Sequence, residues 1–525
     1  SGNLNISGAS LVWASGNTQD ISNRAITFGS NPVSFDTNGN NVSLANAIGA
    51  GGTANFTKTG AGTLTFASNP TYTGTTTISG GTLQLGTGGT TGLVTGSITD
   101  NGSLAVDLTT GTTFSNVVTG TGSFVHSGTG VLTLDATNTF TGTTSISSGT
   151  GSLVLNNALS LQGSTLNYVS GGGAFSFGTL LTTTLGGLSG DKNLVLENTT
   201  PAAVALTIGS NGQASSYSGA LSGLGSLIKV GAGVTTLNGA NAYNGTTNVN
   251  AGTLEIGAGG SITGAGVGVS TNGTLSMTGG SSLTASAIAS FNNSGGSSVF
   301  LIQDGNASLN AGVQALGNGN NGYRIEVDSG TLNTTTMTLG RGSLSFTTEA
   351  AAIGSTTQGL YVNGGAVNIS GAFNMGTNTN TNSTVSTLVA AGSLTVAGKV
   401  TVGLNNSGRW SVLQVAGGTF TSSDTVDGVV LGGPFQGNAS FTVSAGIAAV
   451  EKIQFGQGVL AGTAIVKMTG GELYVGSGGI LKTSPNSVAE IRLAGGTLAA
   501  KAPWSTSLPI NVTANSSLKA ADISD

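Results

Sequence analysis

General acid–base work needs carboxylates, imidazoles or amines converging on one face, and this chain has few to converge. Its 525 residues hold 19 Asp and Glu, 14 Lys and Arg, one His and no Cys. The closest Asp pair in the regular part of the chain, Asp424 and Asp427, lies in the loop-type stretch "TSSDTVDGV" with no neighbouring base. Glu451 and Lys452 are adjacent, so on an extended strand they point to opposite faces. Glu490 and Arg492 share a face and read as a surface ion pair. His126 falls four residues after Gly122, an offset that is apolar elsewhere, and reads as a packed or corner histidine. No nucleophile elbow, phosphate loop or metal-ligand cluster is present. With Gly at 91 of 525 residues, isolated Gly-x-Gly matches carry no weight. The expectation is a non-enzyme with no catalytic, cofactor or metal site.

The elements that would position such residues follow from composition and spacing. Charged residues are 6% of the chain, against roughly 25% in ordinary globular proteins. A chain kept disordered needs high charge or much Pro, and here the net charge is -5 and Pro numbers 7. Nucleic-acid binding needs clustered cations to displace counterions, and the basic residues here are scattered. No apolar run approaches the ~20 residues of a membrane helix, so no membrane insertion of this segment is expected. The chain opens "SGNLNISGAS" with no leader, which suggests a mature form or an excerpt of a longer protein.

Glycines anchor a repeat. Gly330, Gly365, Gly392, Gly418, Gly446, Gly471 and Gly496 recur with late intervals of 27, 26, 28, 25 and 25 residues. Five and three residues before each stand Ile325 and Val327, Leu360 and Val362, Thr387 and Val389, Leu413 and Val415. Phe441 and Val443, Val466 and Met468, Ile491 and Leu493 continue the series. Two residues after the anchors come Leu332, Val367, Leu394, Phe420, Ala448, Leu473 and Leu498. Between the paired apolar positions lie Glu326, Gln414, Thr442, Lys467 and Arg492, which alternation turns outward. A further strand of the form apolar-x-apolar-Gly follows at Met337, Phe373, Val400, Val429 and Ile453.

Each unit of about 26 residues thus holds three short strands and three corners, and buries an inner face only by stacking on neighbours. The expected fold is an all-β, right-handed parallel β-helix of about 20 to 24 coils. Corner glycines 62, 81, 102 and 122 make the early coils shorter, at 19, 21 and 20 residues. Residues 1–320 therefore read as a shorter-coiled β-helix and 321–525 as a regular one. Propeller blades need periods of ~40 or more residues, and helical solenoids need a 3.6-residue period that is absent.

Three stretches say nearly the same thing: "GAGTLTFASNPTYTGTTTISGGTLQLG" (60–86), "GTGVLTLDATNTFTGTTSISSGTGSLVL" (128–155) and "GAGVTTLNGANAYNGTTNVNAGTLEIG" (231–257). Gly-Ala-Gly-Thr-Leu, Tyr-x-Gly-Thr-Thr and Gly-Gly-Thr-Leu occur in that order. This pattern resembles the autotransporter-associated β-strand repeat of secreted passenger domains in Gram-negative bacteria. The second copy departs from it, with Phe140 in place of Tyr and a two-residue bulge near Gly149. The resemblance implies export, a cell-surface location and a structural or adhesin-like role, and brings no catalytic residues with it. The alternatives weighed are a surface-layer lattice subunit and a polysaccharide-acting β-helix enzyme. Expected partners are further copies or repeats stacked end to end, and a host or surface glycan or protein. Trp410, Tyr474 and Trp504 are candidate contact aromatics, with Tyr474 facing out. Asn55 and Asn438 stand in sequons that chance explains in so Asn- and Thr-rich a chain.

Overall fold

The computed structural model describes residues 2–270, 272–287, 289–293, 297–317, 322–340, 349–352, 359–376, 385–404, 409–433, 437–456 and 462–520. It is a parallel β-solenoid of about 20 turns, divided into two compact units, Ser1–Asn244 and Gly245–Asp525. The boundary expected at 320/321 falls at positions outside the described residues.

In the first unit, strands Ser10–Val12, Val33–Asp36, Phe56–Thr59, Thr76–Ile78, Ile98–Asp100 and Val118–Thr119 form one six-stranded parallel sheet in coil order. A second ladder carries Leu64, Leu83, Leu104 and Phe124 in direct register. These are the residues two places after glycines 62, 81, 102 and 122, so the corner intervals are the register steps.

The second unit obeys the same rule more completely. Ile325, Leu360, Thr387, Leu413, Phe441, Val466 and Ile491 stack in one column. Leu332, Val367, Leu394, Phe420, Ala448, Leu473 and Leu498 stack in another. Every member of both columns is buried. Met337–Leu339, Phe373–Met375, Val400–Val402 and Val429–Leu431 build the third face, continued by Ile453 and Phe455. Corners fall on left-handed glycines such as Gly392, where a Cβ would lie 2.1 Å from the Gly365 carbonyl oxygen of the coil before.

The outward assignment needs correction at three positions. Glu326, Gln414 and Thr442 alternate away from the core but are buried. Glu326 is sheltered by its ion pair to Arg324, 2.5 Å away, whose guanidinium lies over the Tyr361 ring. Gln414 and Thr442 lie on a face partly covered by a one-turn helix, Glu349–Ala352. Ala352 packs on Val412 and Trp410, and the Ser440 hydroxyl, hydrogen-bonded to Thr442, donates to Glu349 Oε1 at 2.8 Å. Lys467 and Arg492 stay at the surface, within 3.9 and 3.8 Å of the same carboxylate.

Candidate functional site

The residues that looked capable of chemistry are each engaged in a structural contact. Asp424 Oδ1 accepts the Val426 N–H at 2.9 Å, which makes the loop a turn, while Asp427 pairs with Lys399 at 3.4 Å. Glu451 pairs with Lys501, and Lys452 donates to the Val426 carbonyl at 2.8 Å. Glu490 and Arg492 form the expected ion pair at 2.7 Å, and it holds the Glu490 carboxyl below its ordinary range. No group of three or more metal-ligating side chains occurs among the described residues. Tyr474 is half-buried and outward, donating to Glu472 at 2.8 Å. Trp410 packs beneath the helical turn. Trp504 is half-buried near the corner at Gly479. Both sequon asparagines use their side-chain oxygen as an acceptor, Asn55 from Thr75 N–H and Asn438 from Thr463 N–H.

His126 belongs to a pattern that sequence reasoning left unread. It is 1% exposed, with Nε2 3.0 Å from the Gly130 carbonyl oxygen. Four residues before Gly62 stands Lys58, and four before Gly233 stands Lys229, both fully buried. Lys58 Nζ donates to the carbonyls of Thr59, Gly60 and Gly80 at 2.8, 2.8 and 3.1 Å. Lys229 Nζ donates to Val230 and Gly231 at 2.7 and 3.0 Å. A basic side chain therefore enters the core at the same place in all three repeats and pins a Gly-x-Gly corner from inside. The signal was present: period-2 alternation from Phe56 or Leu227 turns the lysine inward. Desolvation lowers both lysines to about 8, against an attraction to Asp36 for Lys58. Two coils above Lys58 in the same column, Asp100 is buried and desolvation raises it to about 6.

The aromatic of the repeat is also internal. Tyr72 is 1% exposed and its hydroxyl bonds to that of Thr76 at 2.8 Å. Where Phe140 replaces it, Thr144 turns to Ser164 instead, at 2.7 Å. Residues 56–85, 124–150 and 227–256 match the passenger-associated-transport-repeat family. The three copies are thus similar to passenger repeats. Each match begins two residues before the corner-pinning Lys58, His126 or Lys229. The chain is also 34% identical over 207 residues to the BmaC autotransporter adhesin of Brucella suis biovar 1 (strain 1330). That stretch is 37% of this chain and 6% of the adhesin. No solved structure matches the chain.

The matched repeats thus hold their basic side chains, Lys58, His126 and Lys229, inside the solenoid. Much of what faces outward is amide and hydroxyl. In the first unit most exposed asparagines are used structurally. Asn41, Asn69, Asn101 and Asn193 accept backbone N–H bonds from Thr63, Gly92, Thr121 and Ala220 of the next coil, at 2.6 to 3.2 Å. A depression of about 340 Å³ lies instead in the second unit, with no ionisable residue in its lining.

Proposed function

We propose that this chain is part of a secreted passenger displayed on the surface of a Gram-negative bacterium, where it acts as a non-catalytic, adhesive β-solenoid. The observation that carries this reading is that each of the three matched repeats spans two hydrogen-bonded rungs of a parallel stack. The likeness to an autotransporter adhesin supports it. The engagement of His126, Asp424, Glu451 and Glu490 in structural contacts supports a non-enzyme. Antibody raised against the chain should label intact, unpermeabilised source cells, and beads coated with the protein should adhere to host-cell monolayers. Labelling only after permeabilisation overturns the location, and non-adherent beads overturn the adhesive role. Among partners we propose a second copy or covalently continuing repeats, because a parallel rung offers unpaired N–H and C=O groups to any strand of the same spacing. Light scattering that stays monomeric at high concentration overturns self-association.

A further inference from the structure

The depression in the second unit is lined by polar side chains that stand in register along the stack. Ser308, Asn333, Asn368 and Thr395 stand in direct register on four successive coils and run along the stack. Beside them, where the chain turns its next corner, stand Asn310, Thr335 and Ser370. Thr334 and Ile369 lie buried beneath. Asn368 Nδ2 donates to Asn333 Oδ1 at 2.9 Å. That bond leaves the Asn333 amide donor and the Asn368 carbonyl acceptor unspent and holds both side chains in a fixed orientation. No hydrogen bond among the described residues occupies the side chains of Asn310, Thr335, Ser370 or Thr395. In the first unit Asn41, Asn69, Asn101 and Asn193 are instead consumed by the next coil's backbone.

We propose that this groove binds a neutral, extended polysaccharide segment lying along the solenoid axis. The recognition chemistry follows from the lining. Mixed donors and acceptors on an apolar floor suit sugar hydroxyls and the C–H faces between them. With no ionisable group in the lining, nothing offsets the desolvation of an anionic saccharide. A peptide is disfavoured because it would bind chiefly by adding a strand to a sheet edge. Strands Gly305–Leu309 and Thr331–Thr334, and the segments 366–369 and 393–396, are each paired on both sides, so no edge is open. The rungs repeat every ~4.8 Å, so each coil presents equivalent groups to a ligand that repeats along its own length.

This inference rests on the adhesive reading but is tested separately from it. The intact 525-residue chain is titrated calorimetrically with cellohexaose, mannohexaose and N-acetylchitohexaose, with hexagalacturonate as the anionic probe and a Gly-Ser-Asn decapeptide as the peptide probe. At least one neutral hexasaccharide should bind, and N333A/N368A should weaken it about tenfold, as loss of two neutral hydrogen bonds implies. Both side chains are exposed, so an unchanged thermal melt confirms that the variant folds. Binding of none of the neutral sugars, undiminished binding by the folded variant, or binding of only the galacturonate or the peptide overturns the proposal. The variant is also scored for bead adherence. If wild-type beads fail to adhere while the hexasaccharide result stands, the adhesive reading falls alone. If both kinds of bead adhere equally and no neutral sugar binds, the groove inference falls alone.

Discussion

The two units solve the same problem, a corner in every coil, by different means. In the first, short coils turn on Gly-x-Gly corners whose carbonyls face inward, and Lys58, His126 and Lys229 are spent satisfying them. In the second, several strands run through the corner with a register shift, as in Gly359–Ile369, Trp410–Ser422 and Asn438–Phe455. The corner then stays in the ladder, and the described core columns need no cation. The cores differ accordingly. The first begins with an aromatic cluster in which Phe56 lies 5.2 to 6.0 Å from Phe28, Phe35, Phe66 and Tyr72. The second is built mainly of stacked aliphatic side chains. A solenoid can therefore carry a cation inside where its corners leave carbonyls to receive it.

The largest effect should come from putting charge where no carbonyls wait. Val415→Asp or Leu473→Asp strands a carboxylate in the aliphatic column and should cost about 3–5 kcal/mol; a melt matching wild type would break the inward assignment. Next, Lys58→Met and Lys229→Met each leave corner carbonyls unpaired, a loss of about 1–3 kcal/mol. A neutral or stabilising outcome would show that the corners do not need their cations.

The pH dependence sharpens the same contrast. Both lysines have folded values near 8, below their ordinary 10.5, so between those limits the unfolded chain binds more protons. Stability should rise as pH climbs from about 8 to 10.5, and the double Met variant should flatten that limb in denaturant titrations. Asp100 acts in the opposite sense: its value near 6 exceeds 3.8, so the folded chain binds more protons between the two. Stability should fall as pH rises from 3.8 to about 6, and Asp100→Asn should abolish that fall. The smallest pair concerns the outer face. Gln414→Ala, beside the helical turn and bonded to Ser444, should cost about 1 kcal/mol. Lys467→Ala should cost less than about 0.5 kcal/mol. Equal small effects would mean that the turn does not shelter Gln414.

The ladder was legible because glycine spacing and period-2 alternation are local signals that stacking turns directly into register; Leu413 and Val415 needed only their distance from Gly418. The cover over Gln414 and Thr442 was not, since alternation assigns a face without saying what lies on it. "EAAA" at 349–352 is a run of helix formers, but its docking site lies many residues further along the chain. Lys58 and Lys229 went unread for another reason: charge suggested outside while period said inside, and the deciding carbonyls come from folded corners. The groove was unreadable because unspent hydrogen-bonding capacity appears only once every neighbour is placed.

The interval that carries the helical turn has a use beyond shelter. Between Gly330 and Gly365 the chain takes 35 residues for one turn instead of about 26, yet Ile325 still pairs with Leu360 and Leu332 with Val367. The ladder does not count the residues between its strands. Closing a longer connection costs only about 0.6 kcal/mol per doubling of length. Connections between ladder strands are thus natural ports for foreign peptide, and a cassette grafted into one should leave the strand register unchanged, making the solenoid a display scaffold whose cargo is chosen independently of its frame.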